Sequence, residues 1–127
     1  MAKVLFLQDV WIEYYGVMQL SALLKKNGHK TDILFASEES AVEEVKKIKP
    51  DLIAYSCMSV QWNWLKSMST FLKKNGIQCP QVVGGIHATM YPDLTIKHDA
   101  IDAVCRGEGD YAILELCNSI DKKIVNF

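Results

Sequence analysis

The chain has 127 residues, a formal net charge of −1, half of its residues hydrophobic and 23% charged. That is the size and composition of one globular domain, able to bury a core without a metal or disulfide staple. The near-neutral charge excludes a global basic field for nucleic acid, the apolar runs are too short to span a bilayer, and Gln8-Asp9 interrupts the opening apolar run too early for a signal peptide.

Val4–Leu7 is a short continuous apolar run, as expected of a strand covered on both faces. Tyr14–Lys26 carries Val17, Leu20, Leu23 and Leu24 at helical spacing and is stopped by Asn27-Gly28. Lys30–Phe35 reads as a second strand. Ser37–Ile48 places Ala41, Val42, Val45 and Ile48 on one helical face, with glutamates early and lysines late, the order that suits the helix dipole. Pro50-Asp51 turns the chain into a third strand, Leu52–Tyr55. Gln61–Lys74 is a helix closed by Asn75-Gly76, and Gln81–Val83 is a fourth strand ending at Gly84-Gly85. In the following stretch, His87–Lys97, Pro92-Asp93 is a helix opening. Ile101–Val104 is a short fifth strand expected at an edge, and Tyr111–Ile120 a closing helix. The segment Leu23-Leu24-Lys25-Lys26-Asn27-Gly28 is echoed by Phe71-Leu72-Lys73-Lys74-Asn75-Gly76, one helix-ending solution used twice and not a solenoid repeat.

Alternating strands and helices imply an α/β domain over residues 1–127: a flavodoxin-like, Rossmann-like, three-layer α/β/α arrangement with a five-stranded parallel sheet. Ligands of such sheets bind beyond the carboxyl ends of the strands, where the winding direction switches. Three loops therefore carry the functional expectations: Gln8–Tyr15, Ser56–Gln61 and Gly84–Thr89.

The first loop contains Asp9, Val10, Trp11, Tyr14 and Tyr15 and no G-x-G-x-x-G. Its aromatics suit a flat, bulky ligand or a partner surface, or simply cap the sheet edge. In the second loop Ser59 reads as a helix cap, whereas Ser56, beside Cys57 and Met58, stands at the strand end where a hydroxyl can meet a ligand. Gly84-Gly85 permits either a plain tight turn or a close approach of backbone to a ligand. His87, His29 and His98 lack companions at zinc spacing and read as structural. Arg106-Gly107-Glu108-Gly109-Asp110 makes a sharp turn into the last helix, with Asp110 as a candidate cap and Arg106–Glu108 as an exposed ion pair.

The four cysteines, Cys57, Cys79, Cys105 and Cys117, are widely spread with no C-x-x-C, so they form neither a zinc pattern nor a disulfide framework. A reducing cytoplasm is the expected setting. No catalytic constellation emerges. A response-regulator receiver, which has this architecture, requires an acidic cluster after the first strand and an aspartate ending the third; here Asp9 stands alone and Ser56 takes the other place.

Gly84-Gly85-Ile86-His87-Ala88-Thr89, Pro92, and Asp102-Ala103-Val104-Cys105 running into Arg106-Gly107-Glu108-Gly109-Asp110 together resemble the cobalamin-binding domain that precedes the barrel of many radical SAM enzymes. The resemblance covers nearly the whole chain, and the two motifs at this separation are more specific than either alone. The wider cobalamin-binding fold carries Asp-x-His-x-x-Gly after the first strand, Ser-x-Leu after the third and Gly-Gly after the fourth. Ser56-Cys57-Met58 and Gly84-Gly85 match the last two, with Met58 for leucine; Asp9 matches the first, but Trp11 stands in the place of histidine and Tyr14 in that of glycine.

An indole is no metal ligand. The resemblance therefore implies a base-off cobalamin with no histidine on cobalt. Trp11 and its neighbours would lie under the corrin, Ser56 and Met58 would border the tail pocket, and the tail would pass Gly84-Gly85. It implies cofactor contacts from Asp9, Val10, Trp11, Tyr14, Ser56, Cys57, Met58, Ser59, Gly84, Gly85, Ile86, His87, Arg106, Gly107, Glu108 and Gly109. It also implies that the iron–sulfur cluster and S-adenosylmethionine belong to a catalytic domain elsewhere in a longer parent chain, because no C-x-x-x-C-x-x-C is present. No activity is expected of this chain alone. The competing readings are an interaction or substrate-recognition domain that kept the fold without the cofactor, and a binder of another flat ligand such as a flavin.

Overall fold

The computed structural model describes residues 1–9, 15–124 and 127. Five parallel strands form one sheet in the order β2-β1-β3-β4-β5: β1 Lys3–Gln8, β2 Lys30–Phe35, β3 Leu52–Ser56, β4 Gln81–Gly84 and β5 Ala103–Val104. The helices are α1 Tyr15–Lys26, α2 Glu38–Ile48, α3 Trp62–Lys74 after a short 3-10 turn at Ser59–Gln61, α4 Ile86–Met90, α5 Pro92–Ile96 and α6 Asp110–Asp121. The winding direction reverses between β1 and β3, so the switch point lies between the Asp9 loop and the Ser56 loop.

The pleat sorts the strands onto two cores. Leu5, Leu7, Ile53, Tyr55 and Val83 meet α2 and α3 through Ala41, Val45, Leu65, Met68 and Leu72. Val4, Phe6, Leu52 and Ala54 meet α1 and α6 through Val17, Leu24, Ile113 and Cys117. Of the apolar positions expected from helical spacing in α1 and α2, Val17, Leu24, Ala41 and Val45 are buried and Leu20, Val42 and Ile48 lie at the margins, whereas Leu23 is half-exposed and joins neither core. β1 and β3 are almost wholly buried, whereas β2 has no buried residue, only exposed and half-buried ones, as suits an edge strand.

The repeated Leu-Lys-Lys-Asn-Gly ending produces the same cap twice. His29 N–H donates to Leu24 O at 3.0 Å and Ile77 N–H to Leu72 O at 3.1 Å. Gly28 and Gly76 take left-handed φ values of +84° and +89°. Each is a Schellman cap, which satisfies carbonyls the helix leaves bare. Each asparagine adds a side-chain bond to the carbonyl four residues back, at 2.9 Å for Asn27 and 2.8 Å for Asn75.

Two buried polar side chains set the frame. His29 Nδ1 accepts Ala2 N–H at 3.0 Å, and Nε2 lies 2.8 Å from Asn118 Oδ1, so this histidine joins β1, the end of α1 and α6. Gln81, fully buried in β4, accepts the Tyr55 hydroxyl at 2.5 Å and donates to Ser69 O at 3.1 Å. Burial pushes the Tyr55 phenol well above its ordinary pKa, so it remains a donor. Gln81→Leu will strand that hydroxyl away from water, costing about 1–3 kcal/mol. A urea midpoint within error of the parent would show that this network contributes nothing.

Candidate functional site

At the carboxyl ends of β3, β4 and β5 the face toward α6 is built from small residues. Ala54 and Val82 belong to the α1/α6 core, while Tyr55, Val83 and Val104 belong to the opposite one. Alternation then turns Ser56, Gly84, Ala103 and Cys105 toward α6. Pairing brings them side by side: Ser56 lies opposite Gly84, and Val82 opposite Ala103. Among the described residues no large side chain fills the space above them. The result is a cavity of about 300 Å³, floored by these positions and walled by Leu20 of α1 and Ala112, Ile113 and Leu116 of α6. That volume is at the lower end for small-molecule pockets.

The two adjacent glycines play different parts. A Cβ on Gly84 would meet only Cys105 Cβ, at 3.8 Å, so its bareness keeps the cavity open. A Cβ on Gly85 would sit 2.9 Å from Cys57 N and 3.0 Å from Cys57 O. The body that approaches Gly85 is therefore the chain itself. Cys57 N–H donates to Gly84 O and His87 N–H to Cys57 O, both at 3.0 Å, locking the loop after β3 to the loop after β4.

The Gly-Gly and Arg-Gly-Glu-Gly-Asp motifs are joined by one hydroxyl. Thr89 Oγ1 donates to Gly85 O at 3.0 Å and accepts Gly107 N–H at 2.9 Å. Gly107 sits at φ +75°, where glycine is favoured. Asp110 is the first residue of α6 and accepts Gln19 Nε2 at 3.0 Å; the residue in the cap position is Gly109. The ion pairs among the described residues do not include Arg106–Glu108, and both side chains are exposed.

Of the site residues expected from sequence, Ser56, Gly84, Gly85, Gly107 and Gly109 line the cavity. Asp9 borders the switch point and accepts Gln61 Nε2 at 2.8 Å, while Gln61 Oε1 accepts Met58 N–H at 3.0 Å. Gln61, absent from the expected set, thus ties the first loop to the second. Val10, Trp11 and Tyr14 lie outside the described residues. Met58 and Ile86 are exposed, whereas Cys57 is buried in the α2/α3 core. Burial, and secondarily Asp9, pushes its thiol up to about 11, so it is neutral at physiological pH.

His87 faces away from the cavity. It is buried, stacked on Trp62 with ring centroids 4.6 Å apart, and its Nδ1 lies 3.2 Å from Ser59 Oγ. Ser59, read from sequence as a helix cap, makes no cap bond; its hydroxyl goes to this histidine instead. Burial, with Lys66 nearby, holds His87 below its ordinary pKa, and the ring is neutral. The residues that sequence reasoning did not single out are Leu20, Ala103, Cys105, Ala112, Ile113 and Leu116. Their signal is present only as smallness at alternate strand positions and an apolar stripe on α6.

Among the described residues the cavity lining carries no Asp, Glu, His, Lys or Arg; its titratable groups are the Tyr55 phenol and the Cys105 thiol, both of which burial pushes up. Among the described residues no group of three or more His, Cys, Asp or Glu could hold a metal ion, and no helix is long and apolar enough to cross a membrane. The described part of the cavity is suited to binding an apolar body.

Residues 12–117 match the family described as the B12 binding domain. Over 120 residues the chain is 29% identical to the anaerobic magnesium-protoporphyrin IX monomethyl ester cyclase of Rubrivivax gelatinosus, covering 88% of this chain and 20% of that protein. It therefore spans about a fifth of that curated relative. A cobalamin-binding protein from Desulfitobacterium hafniense superposes with a TM-score of 0.72 at 14% identity, over 98% of this chain and 59% of that one. The response regulator domain of Thermotoga maritima CheB superposes with a TM-score of 0.67 at 15% identity, over 99% and 98%. At such identities these likenesses show the flavodoxin-like fold alone.

Proposed function

The chain belongs to the B12-binding domain family, and from that premise we propose that it holds cobalamin, without a histidine on cobalt, as the accessory module of a radical SAM enzyme. The observation that carries this reading is the neutral slot at the sheet's carboxyl edge. Its floor is bare at Gly84, and its Ser56 hydroxyl makes no hydrogen bond to a described residue. These residues fit a nucleotide tail. Gly84, Ala103 and Cys105 leave room for the base, Leu20, Ile113 and Leu116 exclude water from it, and Ser56 offers its hydroxyl to a ring nitrogen. Asp9, held by Gln61, and the Trp11 segment would lie toward the corrin. When bound, cobalamin would supply organometallic or electron-transfer chemistry; the part of this chain is to bind and orient it.

The radical SAM assignment is supported by the joined Gly-Gly-x-His-Ala and Arg-Gly-Glu-Gly-Asp motifs. An accessory role is supported by the small share of the cyclase that the chain spans. The iron–sulfur cluster and S-adenosylmethionine would reside in the catalytic domain, and the cytoplasm would be the setting.

One observation favours a second reading, a domain that recognises a partner without the cofactor. Val60, Ile86 and Met90 are all more than half exposed, and residues 56–65 and 84–92 contain no Asp, Glu, Lys or Arg. An uncharged apolar surface of this kind marks an interface.

One experiment separates the two. The protein is mixed with hydroxocobalamin and desalted, and its visible spectrum is recorded. The corrin absorbance is expected to stay with the protein, with a base-off band position after reduction. A colourless protein that is folded by circular dichroism would reject the cobalamin reading and leave the partner surface.

A further inference from the structure

Resting on the cobalamin reading, we infer that Thr89 is a positioning residue: it touches no ligand, but its hydroxyl holds in place the turn at residues 106–108, which rims the cavity. Gly107 and the flanking Cys105 and Gly109 line the cavity, whereas Thr89 is exposed and does not.

The turn is anchored at its two ends. Cys105 N–H donates to Val83 O and Ile113 N–H to Gly109 O, each at 2.8 Å. Between these anchors little holds it. Among the described residues the N–H groups of Arg106 and Glu108 have no hydrogen-bond partner. Their carbonyls share the weak proton of the Cys105 thiol, at 4.0 and 3.9 Å. Gly107, at φ +75°, belongs to the residue type that loses most freedom on ordering. Among the described residues, the one short bond from the middle of the turn to another element is Gly107 N–H to Thr89 Oγ1, at 2.9 Å.

The hydroxyl can accept there because its own proton is committed elsewhere. It donates to Gly85 O at 3.0 Å, the carbonyl that also accepts Thr89 N–H at 3.1 Å. That half is local: a threonine in a helix can bond the carbonyl four residues back. The other half is not, because Gly107 lies 18 residues further on. The groups form a chain, from Gly107 N–H through the Thr89 hydroxyl to the Gly85 carbonyl, in which each bond polarises the next. Gly85 lies against the Cys57 peptide, so the chain ends on the two loops already locked together. The consequence is preorganisation. A ligand that must order a loose rim binds more weakly by the entropy it removes. With the hydroxyl in place, the rim is ordered before the ligand arrives.

Thr89→Val keeps the shape of the side chain without its hydroxyl, and Thr89→Ser keeps the hydroxyl. Each protein is titrated with hydroxocobalamin, following tryptophan fluorescence, and its amide exchange is read by NMR without ligand. Thr89→Val is expected to bind roughly three- to tenfold more weakly, the net worth of one neutral hydrogen bond. Its Gly107 amide should exchange at least ~3-fold faster, with β1 and β3 unchanged. Its melting temperature should stay within about 3 °C of the parent, because the lost hydroxyl is exposed. Thr89→Ser should restore both affinity and exchange to within about twofold. Parental affinity in Thr89→Val would overturn the positioning role and leave the cobalamin reading standing. Equal weakening in both variants would show that the hydroxyl is not the cause, and faster exchange throughout β1 and β3 would reduce Thr89 to a structural residue; either overturns the inference. A parent protein that binds no hydroxocobalamin would sink the cobalamin reading, and this role with it.

Discussion

Gly84→Leu will give a folded protein that no longer retains cobalamin, with Kd raised at least ~100-fold, equivalent to ~2.8 kcal/mol. The leucyl side chain enters the slot where a Cβ meets only Cys105 Cβ, at 3.8 Å, and occupies the space assigned to the tail base. Folding should not suffer. Burying an apolar side chain in an apolar cavity contributes about 1.5–3 kcal/mol, offset by about 0.5–1 kcal/mol of lost rotamer freedom. The glycine it replaces is itself a weak strand residue. The expected pair of results is therefore an unchanged or raised melting temperature together with lost absorbance after desalting. Gly84→Ala, in ordinary contact with Cys105, should fall between the variant and the parent. Normal binding by Gly84→Leu would mean that the slot is not where the cofactor's tail goes.

Gly85→Ala, one residue along, will do the reverse and damage the fold. Gly85 stands at φ +93° and ψ −169°, a region that is essentially glycine-only and costs other residues of order 1–3 kcal/mol. The new Cβ would also press on the Cys57 peptide at 2.9 and 3.0 Å. That peptide has little freedom to yield, because its N–H is bonded to Gly84 O and its carbonyl to His87 N–H. The expected loss is about 3–4 kcal/mol, or roughly 10 °C in melting temperature for a domain of this size. A loss under ~1 kcal/mol in denaturant unfolding would show that the two loops are not locked as described.

The contrast between these neighbours shows how far sequence carries. As a dipeptide, Gly84-Gly85 admits a turn or a close approach to a ligand and does not say which glycine does which. Register divides the roles: Gly84 is paired with Ser56 on the face toward α6, and Gly85 has left the strand and lies against Cys57. The Ser59 hydroxyl likewise had a local reading as a cap, but a histidine 28 residues away in sequence takes it. Helix α4, Ile86–Met90, is five residues long, too short to show a hydrophobic period, and Pro92 opens a separate helix immediately after it.

Sequence by itself determined the five strands, the four long helices and their order, but not helix α4. Apolar runs of four to six residues, helical spacing in α1 and α2, and the twice-used Asn-Gly ending are signals carried within one turn or one strand, where backbone geometry responds directly to neighbouring residues. Together with the paired motifs, they put the expected ligand edge at the carboxyl ends of the strands, where the structure has a cavity. Only the tertiary structure decided where that edge is hollow. Ser56, Gly84 and Ala103 are separated by 28 and 19 residues, and each is unremarkable in its own strand. They become one floor because parallel pairing sets them side by side and the pleat turns them all toward α6. A cavity is the absence of side chains shared among distant segments, and no local pattern encodes it.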